Sequence, residues 1–497
     1  MTNPHFASTV AGQLQGHTDQ RNANVIEFRG VRYGESTAGT QRFKAPVPVQ
    51  AWQGIRTADA FGSVCPQSGK VGSYTVDHKK LPQSEDCLFL NVWTPALEGK
   101  RPVMVWLHGR GFAQGAGSEP LYDGAALAER GDVVVVTINH RLNVFGYLHL
   151  QEVGGPEYAG SGMVGMLDAE LALRWVRDNI ASFGGDPGNV TIFGESGGGL
   201  KVSTLLAMPS AKGLFHRAII QSGPSIRAIS ARRGAANARA LMDKLAVADV
   251  AGLQAVPADK LRQAAESLRI QLAPVVNGEH LQAHPYDPVP APSALDVPIM
   301  IGACRDEAAL FLASDPKQGK LTEAELRERA ERILGDRRDE VLEAFAASRP
   351  GASPWDLFVA ISSQRFYHGS HMLAERQAKA TDTPIWMYSF DFDGASPLGP
   401  AHGMEIQYVY NHASRNQPGD EAVVQVETAV SGAWIAFART GNPNHATIPD
   451  WPSYSTETRA IMVFDAPSHV VNDLRAEERK AFAQVDLRRS RAVRARA

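Results

Sequence analysis

Seven short runs of almost unbroken apolar character punctuate the chain: PVMVWLH from Pro102, DVVVVTINH from Asp132, NVTIFG from Asn189, HRAIIQSG from His216, VPIMIGAC from Val297, PIWMYSF from Pro384 and AIMVF from Ala460. A strand with one wet face alternates apolar and polar residues. These runs do not, so they suit strands covered on both faces, and they predict a mostly parallel sheet wrapped by helices. Between them the period changes. From Met163 to Ser182, Leu167, Leu171, Trp175, Val176 and Ile180 recur at helical spacing, leaving Asp168, Glu170, Arg174 and Asp178 to face outward. Gly184, Gly185 and Pro187 then stop the helix. A second helix is expected from Thr322, where TEAE offers a capping box with Glu325, and a third over Ala422 to Thr440, ending at GNP. Strand and helix in alternation give an α/β fold.

The 497 residues show no internal repeat, low-complexity block or long linker, so a single domain over 1–497 is expected. Fifty basic against 53 acidic residues leave a net charge of −3. That excludes a global field for nucleic acid or an anionic membrane and points to a small-molecule partner, with the chain a monomer or weak homo-oligomer. Five arginines between Arg488 and Arg496 are a local exception and read as a solvated terminal segment. No apolar run approaches the roughly 20 residues of a membrane span. The first residues lack a signal-peptide core, so a cytoplasmic protein is expected. Three cysteines make no disulfide framework, although Cys65 and Cys87 are near enough in sequence to close a loop, and Cys304 reads as a small core residue. His368 and His371 lack a third ligand, and neither a metal nor a cofactor is expected.

One apolar run leads into chemistry. In NVTIFGESGGGLKV a strand passes through GESGG into a helix, the setting that makes G-x-S-x-G a nucleophile elbow. Gly194 and Gly198 let two chain segments come close, so that Ser196 sits on a strained turn with its hydroxyl exposed at the positive end of a helix. A hydroxyl needs a base that is itself held by a third group, and in an elbow the chain order is serine, acid, histidine. Downstream, VPIMIGAC runs into RDEAAL, which puts Asp306 and Glu307 at a strand's end, and GASPLGPAHGMEI carries His402. Sequence logic leaves Asp306 and Glu307 both open and does not exclude His368, His371 or His412 as the base.

Longer stretches add a family likeness. FRGVRYG, RFKAPVPVQAW, SEDCLFLNVW, WLHGRGF, NHRLNVFGYL, MLDAELALRWVRDNIASFGGDPGNVTIFGESGGG, GLFHRAIIQSG, RDEAALF, AHGMEIQYVY and FARTGNPN resemble the type-B carboxylesterase/lipase family. This is the cholinesterase-like branch of the α/β-hydrolases, and the nearest likeness within it is to bacterial p-nitrobenzyl-type esterases. The resemblance implies an α/β-hydrolase fold with large helical insertions over the active site. It makes Ser196 the nucleophile, Glu307 the orienting acid and His402 the base. Glu195 becomes a buried carboxylate near the site, either an electrostatic tuner or part of a structural network. Ion pairs Arg42–Glu85 and Arg141–Asp168 are implied as well, with a Cys65–Cys87 loop whose bond belongs mainly to secreted members.

The glycine-rich stretch WLHGRGFAQGAGS now acquires a purpose. A tetrahedral oxyanion needs donors aimed at it in advance. One is the N–H of Gly197, next to the serine. The family's HGGGF loop presents two glycine N–H groups, which fall here at Arg110 and Gly111. Arg110 departs from that pattern: at positive φ it carries a strain of about 1 to 2 kcal/mol. Its side chain is expected either in solvent or in the cleft, where it would favour anionic esters. Gly197 and Lys201 also stand where better-known relatives carry alanine and serine, and Lys201 reads as a solvated or ion-paired helix residue. Phe112, Trp355, Phe358 and Phe366 are candidates to line a gorge. The expected activity is hydrolysis of small carboxylic esters through an acyl-enzyme. A carbamate or amide hydrolase would use the same triad. A catalytically silent binding module of cholinesterase type is the rival from another class, but such modules lose a triad member and here all three positions are filled.

Overall fold

The computed structural model describes residues 4–68, 81–394 and 396–485, so the arginine-rich stretch beyond Arg488 lies outside the described residues. In chain order the strands are β1 (Pro4–Ser8), β2 (Gln13–Thr18), β3 (Ile26–Arg32), β4 (Ile55–Thr57), β5 (Phe89–Thr94), β6 (Arg101–Leu107), β7 (Val134–Ile138), β8 (Gly185–Glu195) and β9 (Arg217–Gln221). They continue as β10 (Ile229–Ser230), β11 (Val275–Val276), β12 (Ile299–Cys304), β13 (Ile385–Phe390), β14 (Ala460–Phe464) and β15 (His469–Asn472). Thirteen of them form one sheet in the order β1-β2-β3-β5-β7-β6-β8-β9-β12-β13-β14-β15, with β4 on β2, while β10 and β11 pair separately.

The seven apolar runs supply the seven strands from β7 to β14 of that order, and every pairing among these seven is parallel. The antiparallel pairings lie on the flanks, at β1, β2, β3, β5 and β15. The physical reason is visible in β6. Successive side chains leave a strand on opposite faces. Val103, Val105 and Leu107 join an apolar cluster with Trp175, Val176 and Val202, whereas Met104 and Trp106 join another with Val426, Val430 and Trp434. Both faces are therefore dry.

The helix Val164–Asn179 follows the spacing read from the sequence, with two corrections. Asp168 faces inward: it is fully buried and takes Arg141 in a two-pronged pair, Nε to Oδ2 at 2.8 Å and Nη2 to Oδ1 at 2.6 Å. Arg141 is itself buried just after β7, so this face of the helix meets protein where solvent was expected. Glu170 turns inward as well, held by Arg174 and Ser210. The capping box of Thr322 and Glu325 opens the helix Glu323–Leu334, and Asp420 caps Glu421–Thr440, which ends at Gly441 with φ 83°. Arg42 Nε donates to Glu85 Oε2 at 2.7 Å. Cys65 and Cys87 are free, buried thiols, and Cys87 is pushed up by its hydrogen bond with Cys65 and then by burial.

Between β12 and β13 the chain inserts a helical layer with its own apolar cluster, including Leu326, Val341, Phe345, Trp355 and Phe358. Its longest member, Pro354–Ala380, runs 27 residues and begins at a Ser353–Asp356 capping box. The ends of β6, β8, β12 and β13 lead into the loops described next, and the carboxyl end of a parallel sheet is where such folds hold their ligands.

Candidate active site

β8 ends at Glu195, Ser196 takes φ 54° and ψ −116°, and the helix Gly197–Leu206 starts at the next residue. A non-glycine residue rarely adopts such a backbone, and it persists only where the surroundings enforce it. Here two neighbours do. A Cβ on Gly198 would lie 1.9 Å from the carbonyl oxygen of Leu107, and one on Gly197 would lie 2.3 Å from the nitrogen of Gly111. The turn is thus pressed against the end of β6 and the loop that follows it.

Glu307 follows β12 and is fully buried. Its Oε1 accepts the N–H of Cys304 at 2.8 Å, and its Oε2 is hydrogen-bonded to His402 Nδ1. Asp306 turns away to Arg305 Nε at 2.8 Å. The structure therefore separates the two acids that the sequence left open. His402 lies with its ring against Phe311 and Phe366, centroids 4.9 and 4.7 Å away. Its Nε2 sits 3.1 Å from Glu195 Oε1, and among the described residues neither ring nitrogen bonds Ser196. His371 packs against Tyr367 and Tyr454, and His412 against Tyr410, away from this cluster.

Burial pushes Glu195 up to about 8, in spite of the opposing charge of His402. For His402, burial favours the neutral ring, but the Glu195 and Glu307 carboxylates outweigh it and hold the ring up at about 9. A third buried acid, Glu405, which the sequence reading did not single out, is raised by burial and by Glu307. It accepts from Cys304 Sγ at 3.0 Å and from Gln221 Nε2 at 3.3 Å. Cys304 is thus more than core filling. The signal for Glu405 was present, an acid three residues after His402 in an otherwise apolar segment.

In the loop after β6, Arg110 and Gly111 have φ of 65° and 64°. Among the described residues neither N–H has a protein acceptor. The N–H of Gly197, in the first turn of its helix, has no intrahelical partner either. The guanidinium of Arg110 lies neither in solvent nor free in the cleft, against expectation. It folds back onto Glu119, with Nε–Oε1 and Nη2–Oε2 both 3.3 Å, and Glu119 Oε1 also takes the N–H of Ala116 at 3.3 Å. Lys201 is a second correction. It is completely buried, because its helix is packed between the sheet and this loop, and its ammonium donates to the His108 carbonyl at 2.7 Å. Phe112 meets Tyr147 edge to face at 4.9 Å and lies 6.0 Å from Lys201 Nζ. Of the other gorge candidates, Phe366 reaches His402 while Trp355 and Phe358 belong to the inserted helical cluster. Phe311, missed in the sequence, is 53% exposed over His402.

Among the described residues no three His, Cys, Asp or Glu side chains gather as a metal site, and no helix is long and apolar enough to cross a membrane. The profile of the carboxylesterase family matches residues 3–483. Para-nitrobenzyl esterase of Bacillus subtilis (strain 168) is 36% identical over 96% of this chain and 98% of its own length. Phenmedipham hydrolase of Pseudarthrobacter oxydans is 33% identical over 94% and 97%. Among solved structures, a carboxylesterase of Geobacillus stearothermophilus superposes with a TM-score of 0.85 at 39% identity, over 96% of this chain and 99% of that one. Likeness in both sequence and architecture thus runs along nearly the whole chain, which belongs to the carboxylesterase family and is a carboxylic ester hydrolase of the α/β-hydrolase fold.

Proposed function

We propose that the chain hydrolyses small carboxylic esters through an acyl-enzyme on Ser196, with His402 as base and Glu307 as its orienting acid. His402 Nε2 takes the serine proton as Oγ bonds the ester carbon, and the carbonyl π pair moves onto oxygen. The N–H groups of Arg110, Gly111 and Gly197 receive that oxyanion. The pair then returns to carbon, the alcohol leaves with the proton from His402, and water repeats the sequence to release the acid. For this, Nε2 exchanges Glu195 for Ser196 while Nδ1 stays on Glu307. Glu307 holds the tautomer and offsets the imidazolium charge, and Glu195 tunes how readily the ring gives up its proton.

What chiefly supports the reading is the set of unpaired backbone donors beside the strained serine. The N–H groups of Arg110 and Gly111 have no protein acceptor, and Gly111 lies in the space that a side chain on Gly197 would fill. Backbone donors left open in a packed loop belong to a ligand or to water. The test is a variant series on p-nitrophenyl butyrate together with a fluorophosphonate label located by peptide mass spectrometry. Ser196→Ala is expected to be folded, unlabelled and at background. Glu307→Gln should lose orders of magnitude in kcat, and Asp306→Asn far less. Label on another residue, or near-parental turnover by Ser196→Ala, would overturn the assignment.

A further inference from the structure

Beneath the loop after β6 lies a cation that the ester chemistry does not use. Lys201 has no exposed surface, and among the described residues its one direct hydrogen bond goes to a neutral acceptor, the His108 carbonyl. Burying an amine without a carboxylate in contact is unfavourable, and an apolar side chain of the same length would avoid the cost. Burial accordingly pushes Lys201 down to about 7, with Glu119 opposing from a distance.

That carbonyl starts a series of contacts behind the loop. The His108 ring Nδ1 meets the Gly109 carbonyl at 3.1 Å, and the ring stacks on His140, centroids 4.8 Å apart and planes 4° from parallel. His140 in turn bonds the Arg141 carbonyl at 2.9 Å. The backbone of Gly109 meets the Tyr122 hydroxyl, and Arg110 is held by Glu119. Residues 108, 109 and 110 are thus gripped from behind, while the N–H groups of Arg110 and Gly111 stay unpaired in front. The grip has something to resist. Arg110 at φ 65° is a non-glycine residue in the left-handed region, which relaxes to negative φ when released and carries its N–H with it.

We propose that Lys201 is a positioning residue for ester hydrolysis: through the His108 carbonyl it holds the strained loop whose Arg110 and Gly111 N–H groups receive the oxyanion. This rests on the oxyanion reading given above. An interaction that matters only once negative charge has developed on oxygen alters kcat and leaves substrate binding nearly alone. A whole oxyanion donor is worth about 10²- to 10³-fold, so a loosened loop that still samples the right geometry should cost about 10- to 100-fold.

The experiment compares the parent with Lys201→Met, which keeps the length and apolar packing of the side chain but donates no hydrogen bond. On p-nitrophenyl butyrate, kcat is expected to fall about 10- to 100-fold with KM within about twofold. The inhibition constant of an alkyl trifluoromethyl ketone, which adds to the serine as an oxyanion, should rise by the factor that kcat/KM loses. Circular dichroism and a thermal melt verify the fold, since a purely structural lysine would change the melt without moving the ketone constant below it. Parental kcat and ketone affinity in Lys201→Met, with Ser196→Ala inactive, would overturn the role of Lys201 and leave the site reading intact. An active Ser196→Ala would bring down the site reading instead. If Lys201→Met does not fold, Lys201→Leu takes its place, and failure of both to fold would make Lys201 a structural residue and reject the proposal.

Discussion

Glu195→Gln removes one charge from beside His402 and nearly preserves shape. His402 Nε2 lies 3.1 Å from Glu195 Oε1, and both side chains are buried. At that separation and an effective dielectric of about 20, the attraction between imidazolium and carboxylate is about 5 kcal/mol. This is a ceiling. Burial raises Glu195 itself to about 8, so acid and ring hold one proton between them over much of the neutral range and titrate as a pair. An opposite charge at such range moves a pKa by about 1 to 3. His402 is held at about 9, and removing the Glu195 charge, the largest single upward influence on it, should lower it by that amount. The sign follows from the role. The base works when neutral, so rate rises as pH climbs through its pKa, and a lower pKa carries the acid limb of kcat/KM to lower pH. The assay is kcat/KM on p-nitrophenyl butyrate across that limb, read at the isosbestic wavelength of the nitrophenol. An acid limb left in place, or moved to higher pH, would refute the electrostatic account of Glu195.

Two more predictions concern the loop. In Gly197→Ala the new Cβ would lie 2.3 Å from the Gly111 nitrogen and 2.3 Å from its oxygen, backbone atoms that cannot swing aside. The loop must move, and kcat should fall by about tenfold or more as a donor loses its aim; parental kcat would show that the loop has slack. Arg110→Gly should leave the ratio of kcat/KM for anionic over neutral esters unchanged, because the guanidinium is engaged by Glu119 and does not select substrate. Relief of about 1 to 2 kcal/mol of strain only partly offsets the cost of about 3 to 5 kcal/mol for taking the guanidinium away from the buried Glu119 carboxylate, so a denaturant titration should show a destabilisation of about 1 to 4 kcal/mol. A collapse of the ester ratio would restore the charge-selector role.

The parallel centre of the sheet was legible because dryness on both faces leaves little freedom in composition, and β6, β7 and β14 are apolar at almost every position. Ser196 was legible because its elbow is local, a few residues of strand, turn and helix. Lys201 was misread because its partner is distant in sequence, and Arg110, whose partner Glu119 is only nine residues on, because the way its loop folds back on itself is not written in the local pattern. Nothing near residue 201 announces that the carbonyl of His108, 93 residues earlier, will sit above it. Asp168 was placed outward for the same reason, its partner being 27 residues upstream. The helix Pro354–Ala380 went unrecognised although Ser353, Pro354 and Asp356 mark its start, since burial on several sides blurs the apolar stripe that identifies a surface helix. Of the acids around His402, Glu307 depended on family likeness to be preferred over Asp306, and only the fold distinguishes a carboxylate turned inward from one turned out.

The strand order has a consequence for the life of the chain before it is complete. β8 hydrogen-bonds to β6 and β9, all made by residue 221, whereas Glu307 follows β12 and His402 lies beyond β13. Synthesis is vectorial and domains consolidate as their segments emerge. On the proposed assignment, a nascent chain halted in the inserted helices would carry Ser196 and the loop after β6 without the His402 that arms them. The hydroxyl would then be as inert as any other serine toward the esters of the cell. Reactivity would arrive only with β13 and the loop after it, so turnover during refolding should report on the pairing of β13 with β12, later than the appearance of helical signal.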